Sequence, residues 1–353
     1  MRFLHTGDLH IGASKHVVLK YLKRQESMLD QLIDHAREQK VDAVLMAGDI
    51  FDSADVTHEE RSLFTRKLLT LDSFVPVLCI PGNHDEVSPG LTTLHPYALM
   101  TRAGRFRQSY VVEQTTLVQI QDTLFVLLVS KGADFKRHLR ATLKSLRRSS
   151  LEIEYNHLVV VVHQTVKGGL ADNGHTLPDG VDWKDSVPSD VPVTYFALGD
   201  LHTHQKVGRC AFYSGSPVMT KFDPVVAPHG VLLVDTNDPK HPTMLPIESQ
   251  QFLIVNASDE KALRKAETDG HLVKARLSKN ADEKELARVR NSKAVVKTDY
   301  AKVDVDLGEL RVGTSLDKDV SRAMKRRGLN KADRALGLEL LRQHRPVSHD
   351  LAE

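Results

Sequence analysis

The sequence predicts an α/β protein in which strands deliver a functional site at their carboxyl edge, with a smaller α+β domain and a helical pair behind it. Three observations carry this. Short apolar runs alternate with segments of helical period over roughly the first 240 residues. Five of those runs end in Asp, Asn or His, and in open α/β sheets sites form outside such ends. From about Leu245 the pattern shifts to short β-α-β-α-β units without those endings.

Taken in order, Phe3-Leu4-His5-Thr6 reads as a strand broken by Gly7, after which Asp8 and His10 stand two apart. Alone, Asp-x-His is more often a turn carboxylate beside a surface His. Oxygen and nitrogen donors converging on one point suit a first-row divalent metal, and recurrence favours that reading. Leu22, Leu29, Leu32, Ile33 and Ala36 predict a helix within 15–40 that covers one sheet face. A strand over 43–46 then runs into Gly48-Asp49-Ile50-Phe51-Asp52. Thr57 and Glu60 form a capping-box pattern at the start of a helix over 57–71. The strand at 75–80 ends in Pro81-Gly82-Asn83-His84-Asp85, a short helix is expected over 91–101, and a hairpin turns at Asp122. Residues 136–148 place six Lys or Arg among Leu139, Leu143 and Leu146. That helix is either a solvated face or a phosphate-contacting one using Arg140, Lys144, Arg147 and Arg148, whose contacts would be sequence-blind and salt-sensitive. The Val run at 158–162 ends in His163-Gln164, with Lys167 beyond as a further candidate for a nucleic-acid backbone. The run at 194–198 ends in Gly199-Asp200-Leu201-His202-Thr203-His204-Gln205.

Asp-x-His, Gly-Asp, Gly-Asn-His-Asp, a strand-terminal His and Gly-x-x-His together resemble the calcineurin-type metallophosphoesterase superfamily. Within it, His163-Gln164, Gly199-x-x-His202-x-x-Gln205 and Ser214-Gly215-Ser216-Pro217 resemble DNA-repair nucleases of the SbcD and meiotic-recombination-eleven type. The resemblance implies a β-sandwich with flanking helices over 1–244, holding two divalent ions, manganese foremost and magnesium as the alternative. It implies that Asp49 bridges the ions, that Asp8, His10 and His202 complete one site, and that Asn83, His163 and Asp200 complete the other. His84 is implied as the non-ligand catalytic residue, with Asp85 orienting it. The chain departs from the family at position 200, where Gly-His-x-His is usual. Gly199 before and Gln205 three past His202 set the register, which makes Asp200 the aligned ligand and leaves His204 either behind the ligands or facing substrate; ligation by His202 and His204 is the alternative.

Residues 245–308 resemble the family's capping domain, and 309–353 a C-terminal helical segment. Leu316, Val320 and Met324 form one apolar stripe there, and Ala332, Leu336 and Leu340 another. The resemblance implies docking on an SbcC-type, coiled-coil, SMC-like ATPase, with packing on the chain's own cap as the alternative. Phe64, Leu68, Leu94 and Leu99 are candidates for a homodimer contact or for the chain's own core.

Composition is that of a soluble enzyme. The 353 residues hold 48 Lys and Arg against 46 Asp and Glu, so DNA binding must come from local patches. Apolar runs are too short to span a bilayer, no secretory signal is visible, and two cysteines suit a reducing cytoplasm. The compact length fits a bacterial version or a phage one acting in its host's cytoplasm. The expected function is a manganese-dependent DNA nuclease subunit of a nuclease–ATPase complex. Its implied activities are 3′-to-5′ exonuclease on duplex ends and endonuclease on single strands, in DNA repair, recombination or replication. A phosphomonoesterase or cyclic-nucleotide phosphodiesterase on the same metal core is the alternative, and the C-terminal segments argue against it.

Overall fold

Strands that are apolar at every position need cover on both faces, and this chain supplies it by stacking two sheets between helices. The computed structural model describes residues 1–15, 21–129, 134–148, 154–183, 187, 191–222, 228–278 and 281–300, without the side chains of 147, 148, 299 and 300. The first half contains β1 (Arg2–Thr6), α1 (Tyr21–Glu38), β2 (Ala43–Ala47), α2 (His58–Asp72), β3 (Val77–Ile80), β4 (Glu86–Ser88), β5 (Leu91–Thr92), α3 (His95–Arg102), β6 (Tyr110–Val111), β7 (Thr116–Ile120), β8 (Thr123–Leu128) and α4 (Phe135–Arg148). There follow β9 (His157–His163), β10 (Tyr195–Gly199), β11 (Gln205–Lys206), β12 (Ala211–Tyr213), β13 (Gly230–Asp235), β14 (Thr243–Pro246), β15 (Phe252–Asn256), α5 (Glu260–Thr268), β16 (Leu272–Leu277), α6 (Glu283–Asn291) and β17 (Val295–Tyr300).

One six-stranded sheet runs β14-β13-β1-β2-β3-β6 and the other β11-β12-β10-β9-β8-β7. Alternation within each run assigns the faces. Phe3, Leu45, Ala47 and Leu78 meet Phe125, Val159, Val161 and Tyr195 between the sheets. Leu4, Val44, Met46 and Val77 turn outward under Met28, Leu32, Phe64 and Leu68 of α1 and α2. On the far side Leu124, Val126, Val160 and Val162 pack against Phe135, Leu139 and Leu143 of α4. Each fully buried side chain of this kind contributes about 1.5–3 kcal/mol.

The expected sandwich is present, and the five motif-bearing strands are divided between its halves, with β1, β2 and β3 in one sheet and β9 and β10 in the other. The capping box forms: Thr57 Oγ1 accepts from Glu60 N–H at 3.2 Å and Glu60 accepts from Thr57 N–H at 2.8 Å. The helix expected over 91–101 starts later, at His95, because Pro96 favours the first helical turn; Leu91–Thr92 instead pairs with β4. Phe64, Leu68 and Leu94 are buried in the chain's own core, whereas Leu99 is 48% exposed.

The three-stranded sheet β15-β16-β17 is parallel and carries α5 and α6, whose Asp259 and Asp282 N-caps accept from Ala262 and Glu285 N–H. It is joined to the sandwich by the Arg24 guanidinium over Phe252, 4.8 Å from the ring centroid. Met1–Ala301 form one compact unit. The stripes at Leu316–Met324 and Ala332–Leu340 lie outside the described residues. No helix among the described residues is long and apolar enough to cross a membrane. Cys79 and Cys210 are both free.

A polar side chain of β1 crosses the sandwich. His5 on β1 is fully buried, its Nδ1 accepting from Tyr195 O–H at 3.0 Å and its Nε2–H donating to the Leu198 carbonyl at 3.2 Å. Both partners belong to the second sheet. Burial drives its pKa down to about 3, against a partial lift from the Leu198 carbonyl. The unfolded chain takes up a proton near pH 6.5 that the fold refuses, so stability is lost as pH falls from there toward 3, by roughly 4–5 kcal/mol in all. His5→Gln, which has no titrating ring, should show a shallower fall in urea midpoint between pH 7 and pH 4. Equal slopes in the two proteins would remove His5 from the acid response.

Candidate metal centre

The loops that leave β1, β2 and β10 hold conformations that side chains normally avoid. Asp8, His10, Asp49 and Asp200 have φ of 53°, 44°, 49° and 109°. Such residues cost about 1–3 kcal/mol each and persist where the surroundings fix them. Here the first two loops zip together: Asp8 N–H donates to Gly48 O, His10 N–H to Asp49 O, and Ile11 N–H to Ile50 O, at 2.9–3.0 Å. Two glycines let further loops close in. A Cβ on Gly82 would overlap Asp49 Oδ1, and one on Gly199 would overlap the Ala47 carbonyl.

All seven expected ligands come together across the carboxyl edges of the two sheets. His163 Nε2 lies 2.9 Å from Asn83 Oδ1, 3.4 Å from Asp49 Oδ2 and 3.7 Å from Asp200 Oδ1. His10 Nε2 lies 3.0 Å from His202 Nε2 and 3.7 Å from the same Asp49 Oδ2. Asp8 joins both groups, its carboxylate accepting from Asp200 N–H at 3.0 Å. One Asp49 oxygen therefore belongs to two donor clusters.

The ring nitrogens are oriented for a cation. His163 Nδ1–H donates to the Ala47 carbonyl at 2.8 Å, which turns Nε2 inward. Nδ1 of His10 is 3.3 Å from Asp52 Oδ1, and Nδ1 of His202 is 3.0 Å from Asp172 Oδ2, both close but poorly aligned. Inward Nε2 atoms thus face one another or carboxylate oxygens, an arrangement that only a proton or a cation satisfies. The charges respond accordingly. Burial opposes a charged His163, yet Asp49, Asp8 and Asp200 outweigh it and lift its pKa to about 10. Burial likewise penalises Asp49, but His163, His10 and the His84 N–H hold it below the usual carboxylate range. Asp8, buried completely, is pushed up. Mixed oxygen and imidazole donors with three carboxylates fit divalent ions.

His84 is exposed at the edge of this cluster, with a ring nitrogen within 4.8 Å of donor atoms of His10 and Asp49. Its Nδ1–H donates to the Asp52 carbonyl at 2.6 Å, and its ring meets His10 edge-on at 4.8 Å. Asp85, expected to orient His84, does something else. Fully buried, it accepts from Gly82, Ile50 and Phe51 N–H and from the Thr93 hydroxyl, at 2.9–3.1 Å. It fixes the loops that carry Asp49, and the Asp52 carbonyl orients the imidazole. His204 Nδ1–H donates to the Tyr213 carbonyl at 2.9 Å, away from the cluster. Asp200 is anchored by the Thr165 hydroxyl, which donates to Oδ2 at 2.5 Å. Lys167, Arg140 and Lys144 are exposed, while the side chains of Arg147 and Arg148 lie outside the described residues. Sequence reasoning missed Asp52, Thr165 and Asp172. Asp52 was visible as a second carboxylate in its motif; the other two sit where no periodicity marks them.

The calcineurin-like phosphoesterase family profile matches residues 1–224. The SbcD component of the nuclease SbcCD from Bacillus subtilis is 27% identical over 67% of this chain and 66% of its own length. DNA double-strand break repair protein Mre11 of Methanopyrus kandleri is 26% identical over 62% of this chain and 49% of its own. The SbcD component of the nuclease SbcCD from Escherichia coli K12 is 24% identical over 63% and 62%. The match thus spans between about half and two thirds of the length of these relatives.

The contrast between adjacent residues gives a direct measurement. Asp85→Asn turns an acceptor of four donors into a partial donor and should cost about 3 kcal/mol or more in urea unfolding. His84→Gln, on the exposed side, should stay within about 1 kcal/mol of wild type. Equal losses would show that Asp85 does not hold the loops.

Proposed function

Because this chain belongs to the calcineurin-like phosphoesterase family, we propose that it is a metal-dependent phosphodiesterase that cuts DNA, the nuclease subunit of a nuclease–ATPase complex. The observation that carries this is Asp49 Oδ2, shared between a cluster of Asp8, His10 and His202 and a cluster of Asn83, His163 and Asp200. Two ions held there would supply Lewis-acid polarisation of the phosphate and would acidify the attacking water. The chain's own residues do the rest. His84, its Nδ1–H tied to the Asp52 carbonyl, leaves Nε2 for the substrate; as the imidazolium, protonated at both ring nitrogens, it donates Nε2–H to the scissile phosphate or the leaving oxygen. Asp85 acts on Asp49 through the backbone. Asp200 gives the second cluster an oxygen-rich donor set, which suits manganese or magnesium better than zinc. His204 stays outside the ligands.

DNA is the substrate favoured by the relatives named as components of nuclease SbcCD and as Mre11. The exposed Arg140 and Lys144 of α4, with Lys167, are the described candidates for its backbone, and Arg147 and Arg148 extend that helix. The segment over 245–308 acts as the cap. Leu316, Val320, Met324, Leu336 and Leu340 dock on the ATPase. A homodimer forms through α2 and α3, where Leu69 and Leu99 are exposed by 43% and 48%. The work is done in the cytoplasm, on 3′ ends of duplexes and on single strands.

End-labelled duplex DNA and para-nitrophenyl phosphate esters, each with manganese or magnesium, test the reading; turnover of the esters with intact DNA sinks it. His84→Ala should lower DNA cleavage by about 10²–10⁴-fold and keep both ions. Asp49→Ala should depress occupancy of both ions together, and a variant retaining two ions refutes the bridge. Metal content of Asp200→Ala and His204→Ala, measured side by side, should fall only in the first. Arg140→Ala with Lys144→Ala should reduce the slope of log affinity against log salt by up to about two; an unchanged slope makes α4 a solvated face.

A further inference from the structure

Between His163 and the return of β10 the chain makes an excursion, and it brings one carboxylate back to the metal centre. Its base is closed by backbone bonds from Val181 N–H to Thr165 O and from Lys167 N–H to Val181 O, both 3.0 Å. Val166 and Trp183 bury that base in the α4-covered core. Its middle is gripped by Gln205, from the same motif as His202. Leu170 N–H donates to Gln205 Oε1 at 2.7 Å, and Gln205 Nε2 donates to the Leu170 carbonyl at 2.9 Å. Two residues further on, Asp172 Oδ2 lies 3.0 Å from His202 Nδ1, close but off the line of a hydrogen bond, and 2.7 Å from Lys221 Nζ. On the opposite side of that imidazole, Nε2 faces His10 Nε2 at 3.0 Å.

We propose that Asp172 is the positioning residue for His202, taking its Nδ1–H so that the Nε2 lone pair is fixed toward the ion. The inference rests on the dimetal reading above. A ligand imidazole whose far N–H meets a carboxylate is held in one tautomer and one orientation, and its basicity rises. His163 obtains the same service from the Ala47 carbonyl, and His10 has Asp52 Oδ1 at 3.3 Å from its Nδ1. For His202 the carboxylate must come from outside the strand-end motifs, and the excursion supplies it. The competing account is that Asp172 serves only to pair with Lys221 and pin the loop. Lys221 is 56% exposed but the Asp172 side chain only 16%, so the pair is half-buried and removal of the Lys221 charge tests that account directly. The loop is already pinned by Gln205 at Leu170 and by its apolar base.

Manganese titration of the full chain, followed by loss of the free-ion electron paramagnetic resonance signal, separates the two accounts without reference to cleavage. Asp172→Ala should weaken one of the two ions by about 10–100-fold and leave the other within about threefold. Asp172→Asn should recover part of the loss, since an amide oxygen still accepts the Nδ1–H. Lys221→Met should keep both affinities within about threefold of wild type. Unchanged affinities in Asp172→Ala overturn the proposal. So does a loss in Lys221→Met equal to that in Asp172→Ala, or equal weakening of both ions, because either makes the residue a loop anchor. Wild-type protein that takes up no manganese overturns the dimetal reading itself, an outcome that no difference among the variants imitates.

Discussion

The site depends on holding one oxygen atom still. Asp49 Oδ2 lies within 3.7 Å of His10 Nε2 and 3.4 Å of His163 Nε2, while its other oxygen accepts the His84 N–H at 2.9 Å. That placement requires the backbone at Asp49 to adopt φ of 49°, Gly82 to pass where no side chain fits, and Asp85 to fix Ile50 and Phe51 from beneath. Each of these is a cost or a restriction of sequence. They are sustained by the sandwich, whose strands are apolar on both faces and packed on both sides.

The electrostatics follow from the same crowding. Three carboxylates and three imidazoles meet in a region where Asp8 and His163 are largely withdrawn from water. A carboxylate in such surroundings is costly without a partner, and a ring nitrogen aimed at another ring nitrogen is costly without a proton or cation. His163 responds by holding a proton to about pH 10. His5, buried just as deeply but supplied with one donor and one acceptor, responds in the opposite sense and stays neutral. Two imidazoles of one sandwich are thereby pushed in opposite directions, His163 by its carboxylate neighbours and His5 by burial without them.

Much of this was legible in the residues. Strand ends announce themselves when Asp8, Asp49, Asn83, His163 and Asp200 each follow an apolar run, and the capping box at Thr57 and Glu60 formed where its spacing put it. The division of the strands between two sheets was not visible in the runs themselves, because a strand buried on both faces reads the same in either sheet. Adjacency misled at His84 and Asp85: along an irregular loop successive side chains point to different environments, one to solvent and one into the protein. The start of α3 was shifted by the position of Pro96, which a count of apolar spacing ignores. Asp172 had no signature, since it reaches His202 only through the path of a loop that Gln205 grips.

Both donor clusters draw on both sheets. Asp8 and His10 come from the first and His202 from the second; Asn83 comes from the first and His163 and Asp200 from the second. The seam between the sheets is filled by apolar contact along most of its length, which resists separation better than it resists sliding. An ion held in either cluster would therefore clasp that seam, and its binding free energy would also be cohesion between the two halves of the fold. Catalytic readiness and the mechanical registry of the sandwich would then become one quantity, set by how tightly that edge is fastened.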